Sequence, residues 1–215
     1  MKVELRSMEA ALLLDGRGSA WSGIEETVLP LSPSPIALTE SVSPYMAKTS
    51  GHGKIKKIHV RMTHNGRMFS MRLSWDDPEK DNEISDLDEF SDAVSIMFPL
   101  ANGATAFTMG SADKPVNAWL WKAGNQEPFD VFAEGYATST RRPAKISGLK
   151  ASDSHRDGTW VVVLQRPMSV GGQEMVQIEP GTDTSIAIAV WEGSNKERSA
   201  QKAVSGEFKS VKVDA

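Results

Sequence analysis

Between Ile58 and Trp75 the chain alternates apolar and polar residues with a period of two, and that pattern restricts the fold more than any other feature. Ile58, Val60 and Met62 fall on one side and His59, Arg61 and Thr63 on the other, an arrangement that only an extended strand separates cleanly. Asn65-Gly66 follows, the dipeptide best suited to a two-residue type I′ turn in which both residues take positive φ. Phe69, Met71, Leu73 and Trp75 then carry the apolar face back. The segment predicts an antiparallel hairpin with one buried face. Further strands are predicted over 93–98, 105–109, 116–121, 129–136, 160–165, 185–191 and within 208–213. No long window carries a 3.6-residue apolar stripe closed by helix caps, and Gly/Pro/Ser-rich stretches such as 31–35 and Gly171-Gly172 separate the runs. Short strands at regular spacing, with no internal repeat and no boundary, predict one domain over 1–215. Its expected fold is an all-β antiparallel sandwich with long loops and little helix.

Composition narrows the chemistry. The 24 Lys+Arg against 28 Asp+Glu leave a formal net charge of −4, which argues against a nucleic-acid partner, and no dense basic block suggests an anionic membrane surface. No apolar run reaches the ~18 residues of a membrane-spanning helix, so membrane insertion is not expected. The chain has no cysteine. That excludes disulfides, Cys-based zinc or iron–sulfur sites, a thiol nucleophile and the thioether attachment of c-type haem. The first residues, Met1 to Arg6, lack the apolar core of a signal peptide.

The four histidines, His52, His59, His64 and His155, form neither H-E-x-x-H nor H-x-H. No G-x-S-x-G elbow, P-loop or dinucleotide fingerprint occurs, and no catalytic residue is assigned. The segment 76–92 holds nine carboxylates and one lysine. It lacks the EF-hand pattern, and it reads as a solvated loop or docking surface, with calcium binding the alternative. The richest stretch is 107–122. Here Met109 precedes Gly110 at the end of a predicted strand, Trp119 and Trp121 share one strand face, and Lys122 is adjacent. Taken alone, methionine is a common gap-filler and paired tryptophans commonly cover a sheet face.

Several segments together resemble a known family. Leu14-Asp15-Gly16 with Trp21, Arg72-Leu73-Ser74-Trp75-Asp76, the stretch 107–122, Asp157-Gly158-Thr159-Trp160, Arg166-Pro167, Ala189-Val190-Trp191-Glu192-Gly193, and Glu197-Arg198 with Gln201-Lys202 and Ser205 occur in consistent order. They look like the ethylbenzene-dehydrogenase haem-domain family, whose members include γ subunits of periplasmic molybdenum enzymes of the dimethyl-sulfoxide-reductase type, such as chlorate and selenate reductases and dimethylsulfide dehydrogenase. The resemblance implies a β-sandwich similar to carbohydrate-binding modules and one noncovalent haem b with Met and Lys axial ligands. It also implies periplasmic residence after removal of a leader. The expected partners are an iron–sulfur β subunit, a molybdopterin α subunit and a soluble cytochrome c, and the chain would perform no substrate chemistry of its own.

Carried over by motif, the axial ligands fall on Met109 and Lys202. Met97 is the alternative thioether, and Lys196 and Lys122 are the alternative amines. Trp119 and Trp121 are expected to wall the cofactor, while Lys114 or the pair Arg141-Arg142 are candidate propionate partners. A second reading uses Trp119, Trp121 or Trp191 as exposed platforms of a carbohydrate-binding module, and a third is a structural subunit that has lost its cofactor.

Overall fold

The computed structural model describes all 215 residues. In chain order the strands are β1 (Lys2–Leu5), β2 (Thr27–Pro30), β3 (Ser32–Pro33), β4 (Lys57–His64), β5 (Met68–Asp76), β6 (Ala93–Pro99), β7 (Val116–Lys122), β8 (Phe129–Ala133), β9 (Thr140–Pro143), β10 (Lys150–Arg156), β11 (Thr159–Pro167), β12 (Asp183–Trp191), β13 (Ala203–Val204) and β14 (Lys209–Val213). Helix is confined to two four-residue turns, α1 (Ala10–Leu13) and α2 (Ala144–Ser147), and three short 3₁₀ turns. No helix is long and apolar enough to cross a membrane.

Hydrogen bonding runs β10-β11-β5-β4-β1-β14-β12-β6-β7-β8-β9. The path folds into two layers because β1 serves both. Lys2 and Val3 pair with Lys212 and Val213, and Glu4 and Leu5 pair with Thr63 and His64, both in parallel. A strand that switches sheets makes such a corner. The sheet is therefore mixed, where purely antiparallel pairing was expected.

The predicted hairpin forms in register, with Val60 opposite Leu73 and Met62 opposite Met71. Its turn differs from the type I′ expectation. Gly66 takes positive φ but Asn65 does not. Instead the Asn65 side-chain oxygen accepts from the amides of Arg67 and Met68 at 3.1 and 2.9 Å, so the asparagine acts as a cap. The strand expected over 105–109 is absent. The Glu207 carboxylate binds the Ala106 amide and the Thr105 hydroxyl, and Gly110 donates back to the Thr105 carbonyl at 3.0 Å, which curls the segment into turns. The strand expected over 129–136 stops at Ala133.

The main core lies between the layers. Phe69, Trp75 and Trp160 of one meet Trp119 and Trp121 of the other, with ring centroids 5.7 Å apart for Phe69–Trp119 and 5.0 Å for Trp121–Trp160. Five tryptophans, Trp21 included, are essentially fully buried. Burying rings of this size supplies much of the driving force for closing the sandwich.

The stretch 76–92 is only partly the solvated loop expected. Its middle, 83–89, is exposed, while Asp77 and Asp92 at its ends are fully buried. Asp92 accepts from the Trp160 indole at 2.9 Å, the Gly193 amide at 2.9 Å and the Asp81 amide at 2.8 Å, and so fastens the loop to both layers. No three acidic or histidine side chains of the loop converge on a point where a metal ion would sit.

Candidate functional site

The second layer buries its large residues on one face only. On β6, β7 and β12 the inward positions are Val94, Ile96, Phe98, Trp119, Trp121, Ile186, Ile188 and Val190. Among the alternate positions, which face outward, Ser95, Ala118, Ala187 and Ala189 are small. Register places Ala187, Met97, Ala118, Val131 and Arg141 side by side across five strands, and Val204, Ala189, Ser95, Leu120 and Phe129 in the next row. Residues opposite one another share a face, so alanines and a serine pave a flat depression on the outer surface of the layer.

Loops roof it. Pro35, Ile36, Thr39, Val42, Ser43 and Met46 come over from two 3₁₀ turns, Phe107 and Met109 from the β6–β7 connection, and Tyr136 and Ser139 from the β8–β9 connection. The result is a cavity of about 430 Å³, within the usual range for small-molecule and cofactor sites. Most of its lining is apolar, and the only charged residues lining it are Lys202 and Arg141.

Met109 is held rigidly. Its φ is +60°, a conformation costly for a residue with a Cβ. Its amide donates to the Ala106 carbonyl at 3.2 Å and its carbonyl accepts from Gly135 at 3.0 Å. Gly110 follows at φ +80°, where a Cβ would sit 2.6 Å from the Lys114 carbonyl oxygen, so only glycine fits. The side chain packs with Met97, Ala118, Val131 and Ala187 of the floor.

Lys202 enters from the opposite wall. Its carbonyl accepts from the Ser34 amide at 2.9 Å, and the following Ala203 pairs with Pro33. The amine lies 4.8 Å from the centre of the Trp191 ring and has no carboxylate partner. Burial pushes its pKa down from 10.5 to about 8. Trp191 is fixed by its indole donating to the Ser199 carbonyl at 3.0 Å.

The structure brings Met109, the alternative thioether Met97 and Lys202 into one cavity and leaves the alternative amines outside its lining. Met97 lies on the floor. Lys196 is exposed and paired with Asp88, and Lys122 does not line the cavity. Trp119 and Trp121 are not its wall. Their positions on β7 turn them into the core, where Trp119 is 0% and Trp121 2% exposed, and the wall aromatics are Phe107, Tyr136 and Trp191. The same burial removes these two tryptophans as sugar platforms. None of the histidines lines the cavity. His59 pairs with Glu26 at 2.8 Å, His52 and His155 bind backbone carbonyls, and burial lowers the pKa of His64. Sequence reasoning missed Met46, Tyr136 and the small-residue floor. Alternation of large with small residues along β7 and β12 is the signal that marks the floor.

A thioether, a neutralisable amine, an apolar floor and an acid-free lining are groups that could hold a flat, apolar cofactor. Known proteins point the same way. The family model described as Ethylbenzene dehydrogenase matches residues 18–149 and 144–203. The chain belongs to the ethylbenzene dehydrogenase family. Met109 lies in the first matched span and Lys202 in the second. A Haloferax mediterranei protein with the provisional name respiratory nitrate reductase heme subunit is 30% identical over 86% of this chain and 63% of its own length. The chlorate reductase subunit gamma of Ideonella dechloratans is 34% identical over 67% of this chain and 59% of its own length. The dimethylsulfide dehydrogenase subunit gamma of Rhodovulum sulfidophilum is 30% identical over 68% and 56%. The chain spans less than two thirds of each of these relatives.

Among solved structures, a family 9 carbohydrate-binding module of Caldicellulosiruptor kristjanssonii with glucose bound superposes with a TM-score of 0.52 at 11% identity, covering 100% of this chain and 95% of that one. A Bacteroides uniformis protein, provisionally titled carbohydrate-binding, gives 0.58 at 14% identity over 100% and 98%. At such identity these likenesses show the shared sandwich and nothing about ligands.

Proposed function

We propose that this chain is the b-type cytochrome electron-transfer subunit of a heterotrimeric molybdenum oxidoreductase of the chlorate or selenate reductase kind. In this reading residues 1–215 form one domain that holds a single noncovalent haem b and works in the periplasm. It relays electrons between a soluble cytochrome c and an iron–sulfur subunit that serves a molybdopterin subunit. The chain itself transforms no substrate. The observation that carries the reading is the cavity in which Met109 and an unpaired, partly desolvated Lys202 meet over a floor of small residues; membership of the family supports it from sequence.

When bound, haem b supplies a one-electron iron couple. The chain's residues set its terms. Met109 offers a thioether, which raises the reduction potential, and Lys202 offers its amine only with the Nζ proton removed. The floor and the mostly apolar roof would shield both donors from water once the group is bound.

The visible spectrum of the purified protein tests this reading. A Soret band with sharp reduced α and β bands, removed by acid-acetone, is the expected result. A colourless protein that fails to take up haem b overturns it.

A further inference from the structure

The cavity's mouth carries a charge imbalance. Its exposed lining residues are Val42, Ala137, Ser139, Arg141 and Ser199, and Arg141 is the only charged one among them. Its neighbour Arg142 points to the other face of β9, where Asp130 binds it at 2.5 Å and Glu174 at 2.8 Å. Arg141 has no such partner. Its guanidinium lies 5.4 Å from the centre of the Phe129 ring, so the side chain leans along the floor in the direction of Lys122. Lys122 shares the outer face of β7 with Ala118 and Leu120 and likewise has no carboxylate partner. Its pKa is lowered first by burial and then by repulsion from Arg141. Two cations therefore face the same rim with no anion between them, beside a cavity whose lining contains no acid. Lys114, the other basic candidate, folds back against Gly103 and stays outside the lining.

An unpaired guanidinium at a rim is built to receive a carboxylate or a similar anion, because its planar fork matches two oxygens. A ligand that fills this cavity and satisfies this rim is flat and apolar with an acidic edge. We infer that Arg141 would be the anchor for a propionate of the bound haem, with Lys122 adding attraction, so that the acidic edge would lie at the rim these two cations share. The inference rests on the haem reading above. It assigns the orientation of the ring within the cavity, which that reading leaves open.

The test titrates haem-free protein with haem b and with haem b dimethyl ester, in which both carboxylates are neutral, following the Soret band. Unmodified protein should bind the free acid about three- to tenfold more tightly than the ester, the modest value appropriate to an exposed charged contact. Arg141→Gln should lose most of the preference and keep only the smaller part owed to Lys122, Arg141→Lys should recover part of it, and Arg141→Gln combined with Lys122→Gln should bind both forms equally. Arg141 is exposed on an edge strand, so circular dichroism and thermal unfolding of the variants should match the parent. A preference that survives undiminished in Arg141→Gln, or that is absent from the parent, overturns the anchor while the low-spin spectrum upholds the haem reading. Failure of both porphyrins to give a low-spin band in the unmodified protein sinks the haem reading, and the anchor with it.

Discussion

An amine binds a metal through its lone pair, so under the proposed ligation Lys202 would have to be neutral where the chain works. For a free lysine with a pKa of ~10.4, holding the neutral form at pH 7 costs roughly 4–5 kcal/mol. Burial alone brings Lys202 from 10.5 to about 8, which covers roughly 3 kcal/mol of that cost and leaves a small remainder for the bond to iron. Lys202→Ala should therefore convert a low-spin ferric spectrum to a five-coordinate or water-ligated one. Lys196→Ala and Lys122→Ala should leave it low-spin. Acid should displace the ligand in the parent, since protons compete with iron at Nζ, and that transition should vanish from Lys202→Ala. A low-spin Lys202→Ala protein would remove the amine assignment. Met109→His should stay six-coordinate at a lower potential, because imidazole favours ferric iron relative to a thioether. An unchanged potential in that variant would move the thioether to Met97 or Met46. Nothing in local spacing distinguishes Lys202 from Lys196. What distinguishes them is a contact across the chain, the Ser34 amide on the Lys202 carbonyl, and local sequence does not register such contacts. Resemblance supplied the choice that spacing alone left open.

Among the strands, the large residues were the legible ones. Period-two alternation located β4, β5, β6, β7, β11, β12 and β14 because each buries bulky side chains on its inward face. The two-residue strands β3 and β13 and the polar edge strands β9 and β10 carry no such signature. The same conspicuousness misdirected the site. Trp119 and Trp121 draw attention as a wall, yet large aromatics on a sandwich strand are most stably buried between layers. The floor of the cavity is marked instead by alanine and serine at alternate positions. This gives a clean contrast on one strand. Ala118→Leu adds bulk to the floor and should abolish haem uptake while costing about 1–3 kcal/mol at most, since the side chain lines a cavity that can take the added volume. Trp119→Ala, one residue away, should cost about 3–5 kcal/mol by leaving a core cavity. Urea unfolding and Soret titration measure the two effects separately. Normal haem binding by Ala118→Leu would place the cofactor elsewhere.

The molecule as a whole divides its acidic stretch between a structural task and an exposed one. Burial and the neighbouring carboxylates raise Asp77 to about 7, and burial raises Asp92 to about 6. Between about pH 4 and pH 7 the folded state thus holds protons that the unfolded state releases, so their contribution to stability is complete at low pH and lost as pH rises toward 7. Asp77→Asn should remove much of that decline and stabilise the protein at pH 8 by about 1–3 kcal/mol, read from urea melts at pH 5 and pH 8. Equal pH dependence in the variant would show that Asp77 ionises normally in the fold. The exposed portion, 83–89, is tied to the turn that leads into Ser199 and Lys202: Lys196 pairs with Asp88, and Arg198 stacks 4.8 Å from the centre of the neighbouring Phe90 ring. Leu87 is 97% and Ile84 56% exposed among these acids. Apolar side chains ringed by like charge suit a transient interface that steers a basic partner by its field and then seats it by contact. We propose this loop as the docking face for a basic cytochrome c. Neutralising Glu83, Asp86, Asp88 and Glu89 as Gln or Asn should slow electron delivery by about tenfold at low ionic strength, with the difference closing as salt screens the parent's attraction. The haem spectrum and potential should not move. A rate and a salt dependence unchanged from the parent would relegate the loop to solvated surface and shift docking to another part of the cavity's rim.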